Sequence, residues 1–153
     1  MQLKFTNGSV QSVVEYLPKL QLKGRENRAR QKLLKKASEK FQEFYSDVQE
    51  VKSENPDDTE KQNEELQTLI KEVIIVDMTE YAQYMKPLYD ELLDYPHEID
   101  TVRTEGKPSD SAIHDYLIDV LEDGFDDSTN EPQIDEPDAA NNEVEEAQYQ
   151  EVE

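Results

Sequence analysis

The chain has 153 residues, about one domain's worth, and carries 37 Asp and Glu against 16 Lys and Arg, a formal net charge of −21. Of its 35 Leu, Ile, Val and Phe residues, 32 lie in residues 1–125, so that part can bury a modest core while residues 126–153 cannot. No apolar run approaches the roughly 18 residues of a membrane span, no signal-peptide core opens the chain, and the lack of Cys removes disulfides, thiol nucleophiles and cysteine-ligated metals.

Charge is segregated along the chain. Residues 1–53 hold 11 Lys/Arg against 6 Asp/Glu, residues 54–121 hold 5 against 18, and residues 122–153 hold none against 13. A chain basic at one end and acidic at the other presents two different faces to partners, or binds itself. The simpler reading is that the charge keeps a small protein soluble.

In chain order, Leu3-Lys4-Phe5 alternates apolar and polar residues and predicts a short strand ending at Asn7-Gly8. Ser9 is expected to cap a helix with Val10, Val13, Val14 and Leu17 on one face, closed by Pro18. A turn at Gly24 leads into a long helix from about Arg25 to Glu54, with Leu34, Ala37, Phe41, Phe44, Val48 and Val51 at alternating spacings of 3 and 4. Asn55-Pro56-Asp57-Asp58 breaks it, and Asp58 or Thr59 caps the next helix. That helix has Leu66, Leu69, Ile70 and Val73 on its apolar face, so the two make an antiparallel hairpin.

The β-branched run Val73-Ile74-Ile75-Val76 predicts a strand. Whether Leu3–Phe5 pairs with it is left open. Thr79 is read as the N-cap of a third long helix with Tyr81, Met85, Leu88, Tyr89, Leu92 and Leu93 on one face, ended by Tyr95-Pro96. Ile99 and Val102 form a further extended piece before a turn at Gly106-Lys107-Pro108. Ser109 or Ser111 opens a last helix with Ile113, Tyr116, Leu117 and Val120 on one face, and Gly124 supplies its stop. The expected fold is mainly α: a helical hairpin plus further helices, one or two short β segments, and a disordered acidic tail. Residues 1–125 form the helical domain and 126–153 the tail.

The sequence carries little recognisable chemistry. His97 and His114 are the two histidines, and neither sits in an H-E-x-x-H pattern. Asp94, His97 and Asp100 would cluster only on a continuous helix, which Pro96 opposes. The stretch Asp119 to Gly124 fails as a calcium loop, because Leu121 and Asn130 fall at ligand positions. The four glycines are isolated, so no phosphate-cradling loop can be drawn. No serine has a nucleophile-elbow context, and nothing selects a catalytic carboxylate pair. No catalytic, cofactor or metal site is assigned, and the chain reads as a non-enzyme.

The stretch Lys23 to Lys36 is the one positively charged element. On a helix, Arg25, Arg28, Lys32, Lys35 and Lys36 share a face opposite the Leu34/Phe41 stripe. It is the candidate partner-binding face, able to contact an acidic surface, the chain's own tail included. The net charge of −21 argues against direct nucleic-acid binding. Tyr81, Tyr84, Tyr89, Tyr95 and Tyr116 are expected at the core edge, where tyrosine joins apolar area to a polar tip.

The stretches Leu3-Lys4-Phe5-Thr6-Asn7-Gly8, Leu20-Gln21-Leu22-Lys23-Gly24, Arg28 to Lys35 and Val76-Asp77-Met78-Thr79-Glu80-Tyr81 carry a resemblance. The chain resembles a family of short uncharacterised proteins of tailed phages and prophages of Gram-positive bacteria, over roughly residues 1–125. The resemblance implies a viral origin and brings no activity or site residues. Three functions are weighed: a non-enzymatic phage accessory protein that binds a host or phage protein, an acidic nucleic-acid mimic that inhibits a host nuclease or polymerase, and a virion or tail assembly factor. The expected setting is the cytoplasm of the bacterial host, without a membrane and without a cofactor. The partner's identity and the oligomeric state are not encoded in any motif.

Overall fold

The computed structural model describes residues 1–95 and 108–130. It contains strand β1 (Gln2–Thr6), helices α1 (Asn7–Tyr16), α2 (Gly24–Glu54) and α3 (Thr59–Lys71), strand β2 (Val73–Asp77), and helices α4 (Ala82–Asp94) and α5 (Asp110–Asn130). Short 3-10 turns at Leu17–Lys19 and Thr79–Tyr81 follow α1 and precede α4. The mainly α reading holds, with its helical hairpin, α2 and α3, and its short β segments.

The two strands pair antiparallel, Leu3 opposite Val76 and Phe5 opposite Ile74. Backbone bonds extend the ladder at both ends, Met78 N–H to Met1 O at 2.9 Å and Asn7 N–H to Glu72 O at 3.0 Å. Alternation puts Leu3, Phe5 and Val76 in the core and leaves Lys4, Val73 and Ile75 outside. A two-stranded sheet is marginal alone. Here α5 packs along β1 and α2 along β2, while α1 and α4 close the core.

α1 starts at Asn7, two residues before the expected Ser9 cap. Asn7 is buried and spans the sheet and α3: its Nδ2 donates to Leu69 O at 3.0 Å. Thr6 precedes the helix in an extended conformation, and its hydroxyl donates to Ser9 Oγ at 2.8 Å. Ser9 is thus a partner of the preceding residue rather than a cap. Val10, Val13 and Leu17 are buried as the spacing requires, and Pro18 sits in the turn that ends the helix.

The stripe on α2 is a correction. Its buried residues are Ala29, Leu33 and Ala37, whereas Leu34, Phe41, Phe44, Val48 and Val51 are half-buried. The small alanines allow α1 and α4 to pack onto the N-terminal half of α2. Farther along, the helix lies beside α3, and its apolar residues are covered on one side only. Asp58 caps α3 as expected, its Oδ1 accepting from Lys61 N–H at 3.0 Å. Asn55 closes the hairpin turn, donating to Val51 O at 3.1 Å and accepting from Gln62 Nε2.

Thr79 does not cap α4. Asp77 Oδ1 accepts from the Thr79 amide at 3.0 Å and its hydroxyl at 2.6 Å, an Asx-type turn that leads into Thr79–Tyr81. α4 buries Met85, Leu88 and Leu92, while Leu93 is 52% exposed. Pro87 lies inside this helix and leaves the Gln83 carbonyl without its helical donor. Ser109 does open α5, accepting from Ala112 N–H at 3.2 Å.

Gly124 does not stop α5, which continues to Asn130 through residues read from sequence as the start of the tail. Instead it brings α5 hard against β1: a Cβ there would meet Leu3 Cδ2 at 2.7 Å, Met1 Cε at 3.0 Å and Gln2 O at 3.2 Å. The piece around Ile99 and Val102, the Gly106-Lys107 turn, His97, Asp100 and the tail from 131 lie outside the described residues.

Candidate partner-binding face

The positive φ of Gly24, 57°, turns the chain from the extended Lys23 into α2. The first four turns of α2 then carry the five cations named from the sequence. Arg25, Arg28 and Lys35 are exposed, and Lys32 and Lys36 are half-buried. At 3.6 residues per turn their arc lies opposite Leu34 and Phe41 as expected, but the buried stripe has shifted to Ala29–Leu33–Ala37, about a third of a turn from the cations. That shift brings Lys32 down beside the start of α4. Its ammonium lies 4.6 Å from the ring centre of Tyr81 and 5.4 Å from that of Tyr84. Two aromatic faces hold one cation, an electrostatic attraction that also limits the lysine's rotamers.

The described residues make ion pairs at Lys4–Asp127, Lys19–Asp110, Lys40–Glu43 and Lys86–Asp90. None involves Arg25, Arg28, Lys32, Lys35 or Lys36, although the chain holds 37 carboxylates. Lys36 acts at longer range on Asp77, whose carboxyl is held below its ordinary value. The Thr79 hydroxyl is the main cause, then the Thr79 amide, with smaller help from the Met1 ammonium and Lys36.

Arg30 lies in the same basic stretch but off this face. Its guanidinium donates to Leu17 O and Leu20 O, each at 2.9 Å, and to Asn27 Oδ1, fastening α2 to the turn after α1. Its position outside the arc of the other five was the available signal. Tyr81, Tyr84, Tyr89, Tyr95 and Tyr116 are half-buried as expected. Tyr95 OH accepts from Gln21 N–H at 2.7 Å and Tyr116 OH from Thr6 N–H at 3.3 Å. Tyr89 OH donates to Glu122 at 2.6 Å, and this bond above all pushes its hydroxyl up to about 12.

A second charged surface lies at the other end of α2. The hairpin forms a groove of about 470 Å³ lined by Asp47, Glu50, Glu64, Glu65 and Glu72 around Val51, Thr68 and Leu69. His114 is buried and structural in its contacts: Nε2 lies 2.8 Å from Leu92 O and Nδ1 2.6 Å from Tyr16 OH. These two contacts tie together α1, α4 and α5. Among the described residues no three His, Cys, Asp or Glu side chains gather as metal ligands, and no helix is long and apolar enough to cross a membrane.

Fold and surface together define a small mainly α-helical protein with opposite charge at the two ends of its longest helix. No family model, curated protein or solved structure matches the chain.

Proposed function

We propose that this chain is a non-enzymatic accessory protein that binds another protein through the basic face of α2. The supporting observation is the set of five cations without a carboxylate partner among the described residues of so acidic a molecule. Leaving a charge exposed costs nothing in water, but a local concentration of one sign steers an opposite surface to it. An acidic protein surface fits better than nucleic acid, whose dense phosphate charge the rest of this acidic molecule repels wherever the two approach within a screening length of about 8–10 Å. Tyr81 and Tyr84 add apolar area beside the charges. Following the sequence resemblance, the protein is encoded by a phage or prophage and acts in the cytoplasm of the bacterial host, on a host or phage partner.

The test is affinity capture from infected cells, comparing the parent chain with a variant in which Arg25, Arg28, Lys32, Lys35 and Lys36 are all replaced by Gln. A partner recovered with the parent and lost with an equally helical variant supports the reading. Retention of the same partners by the variant refutes it.

A nucleic-acid mimic is the second reading, favoured by the ordered carboxylates of the α2–α3 groove. It requires that Glu50→Gln, Glu64→Gln and Glu65→Gln together, and not the basic-face changes, release a nuclease or polymerase from inhibition.

A further inference from the structure

The basic face has a candidate occupant within the same chain. Residues 131–153 contain nine Asp and Glu and no Lys or Arg. We propose that this segment lies over Arg25, Arg28, Lys32, Lys35 and Lys36 in the free protein, so that an external acidic partner must displace it. The proposal rests on the reading of that face as the contact surface, and adds how access to it is controlled.

Position argues for the encounter. α5 ends at Asn130, and its last turns lie against the start of β1, with Gly124 touching Met1 and Leu3, and Asp127 paired to Lys4 at 3.4 Å. The Met1 ammonium reaches Thr79 Oγ1 at 3.2 Å, and that hydroxyl bonds Asp77, the carboxylate on which Lys36 acts. The end of α5 and the basic face are therefore linked through a short chain of contacts across one end of the sheet. The 23 residues beyond it reach up to about 75 Å when extended, far more than such a crossing requires.

Charge argues for the choice of face. The carboxylates of the α2–α3 groove repel this segment, and Lys4, Lys19, Lys40 and Lys86 already have acidic partners. The five cations of α2 are the concentrated positive surface left over. Tethering makes their encounter intramolecular, at an effective concentration near millimolar for a linker of modest length. Each exposed pair contributes little, so the cover is loose and salt-labile, which suits a segment that must be displaced.

The absence of native Cys allows a single spin label on full-length protein at Asn141→Cys. At low ionic strength the label should broaden the amide signals of residues 25–36 at least twofold more than those of α3. The effect should vanish in about 0.5 M salt, where the screening length is about 4 Å. It should also vanish when the five cations are replaced by Gln. Broadening absent from residues 25–36, or unchanged by those substitutions, overturns the proposal.

A second arm separates this from the contact-surface reading. A labelled 20-residue polyglutamate peptide should bind a full-length variant with all nine tail acids amidated to Asn or Gln about tenfold more tightly than the parent. Equal binding that still needs the five cations overturns the tail cover and leaves the contact surface standing. Binding by neither protein, with no broadening, removes both.

Discussion

Truncating Leu33 and Phe44 separately distinguishes the two ends of α2. Leu33 is fully buried between Ala29 and Ala37, so Leu33→Ala opens a closed cavity where α2 meets the core. Leu→Ala changes at such sites cost about 2–5 kcal/mol, against a total stability of about 5–15 kcal/mol for a small domain. Ala's better helix propensity returns only a few tenths of a kcal/mol. Phe44 has the larger side chain but is half-buried, on the stretch of α2 that lies beside α3. Full burial of a Phe contributes about 1.5–3 kcal/mol, so half of that, less about 0.5 kcal/mol of helix propensity, leaves a loss of about 0.3–1 kcal/mol. With about 3–5 °C per kcal/mol for a domain of this size, Leu33→Ala should lower the unfolding midpoint by about 6–25 °C and Phe44→Ala by about 1–5 °C. Far-UV circular dichroism during heating measures both. A midpoint for Phe44→Ala as low as that for Leu33→Ala would refute the placement of the core on the Ala29–Leu33–Ala37 face.

Gly124→Val should destabilise the protein by about 1–3 kcal/mol through overpacking, because even a Cβ at this position meets Leu3 and Met1 side chains and the Gln2 carbonyl. Urea unfolding measures this, and an unchanged midpoint would refute the close approach of α5 to β1 at Gly124. Thr79→Val should raise the Asp77 carboxyl toward its ordinary value near 3.8, read by NMR titration of the side-chain carboxyl. Asp77 titrates lower when folded, so its contribution is fully present above that ordinary value and is lost as pH falls through the lowered one. In Thr79→Val this acid-side loss should be smaller, since the residue 79 amide, the Met1 ammonium and Lys36 still favour the carboxylate, and an unchanged titration would show that the threonine hydroxyl does not hold it.

The sequence by itself determined the elements whose ends are set by local chemistry. Pro18 ends α1, Asn55 to Asp58 break the hairpin, Asp58 and Ser109 cap helices, and four successive β-branched residues make β2. Each of these signals acts within a few residues, through a missing N–H, a side-chain acceptor or a restricted rotamer, so it needs no knowledge of the rest of the chain. The five cations of the candidate face were legible for the same reason, since helical periodicity alone groups them. Tertiary structure decided what those elements touch. A 3,4 spacing permits neighbouring faces of α2, and only the packing of α1 and α4 selected the stripe of small residues that lets them approach. Gly124 reads as a stop until β1 is laid against it. Lys32 meets Tyr81 and Tyr84, and Arg30 caps the carbonyls of Leu17 and Leu20, through contacts that span turns and loops. Which partner such a side chain finds is settled by how the helices pack, because packing energy depends on all the surfaces buried together and not on the identity of any one residue.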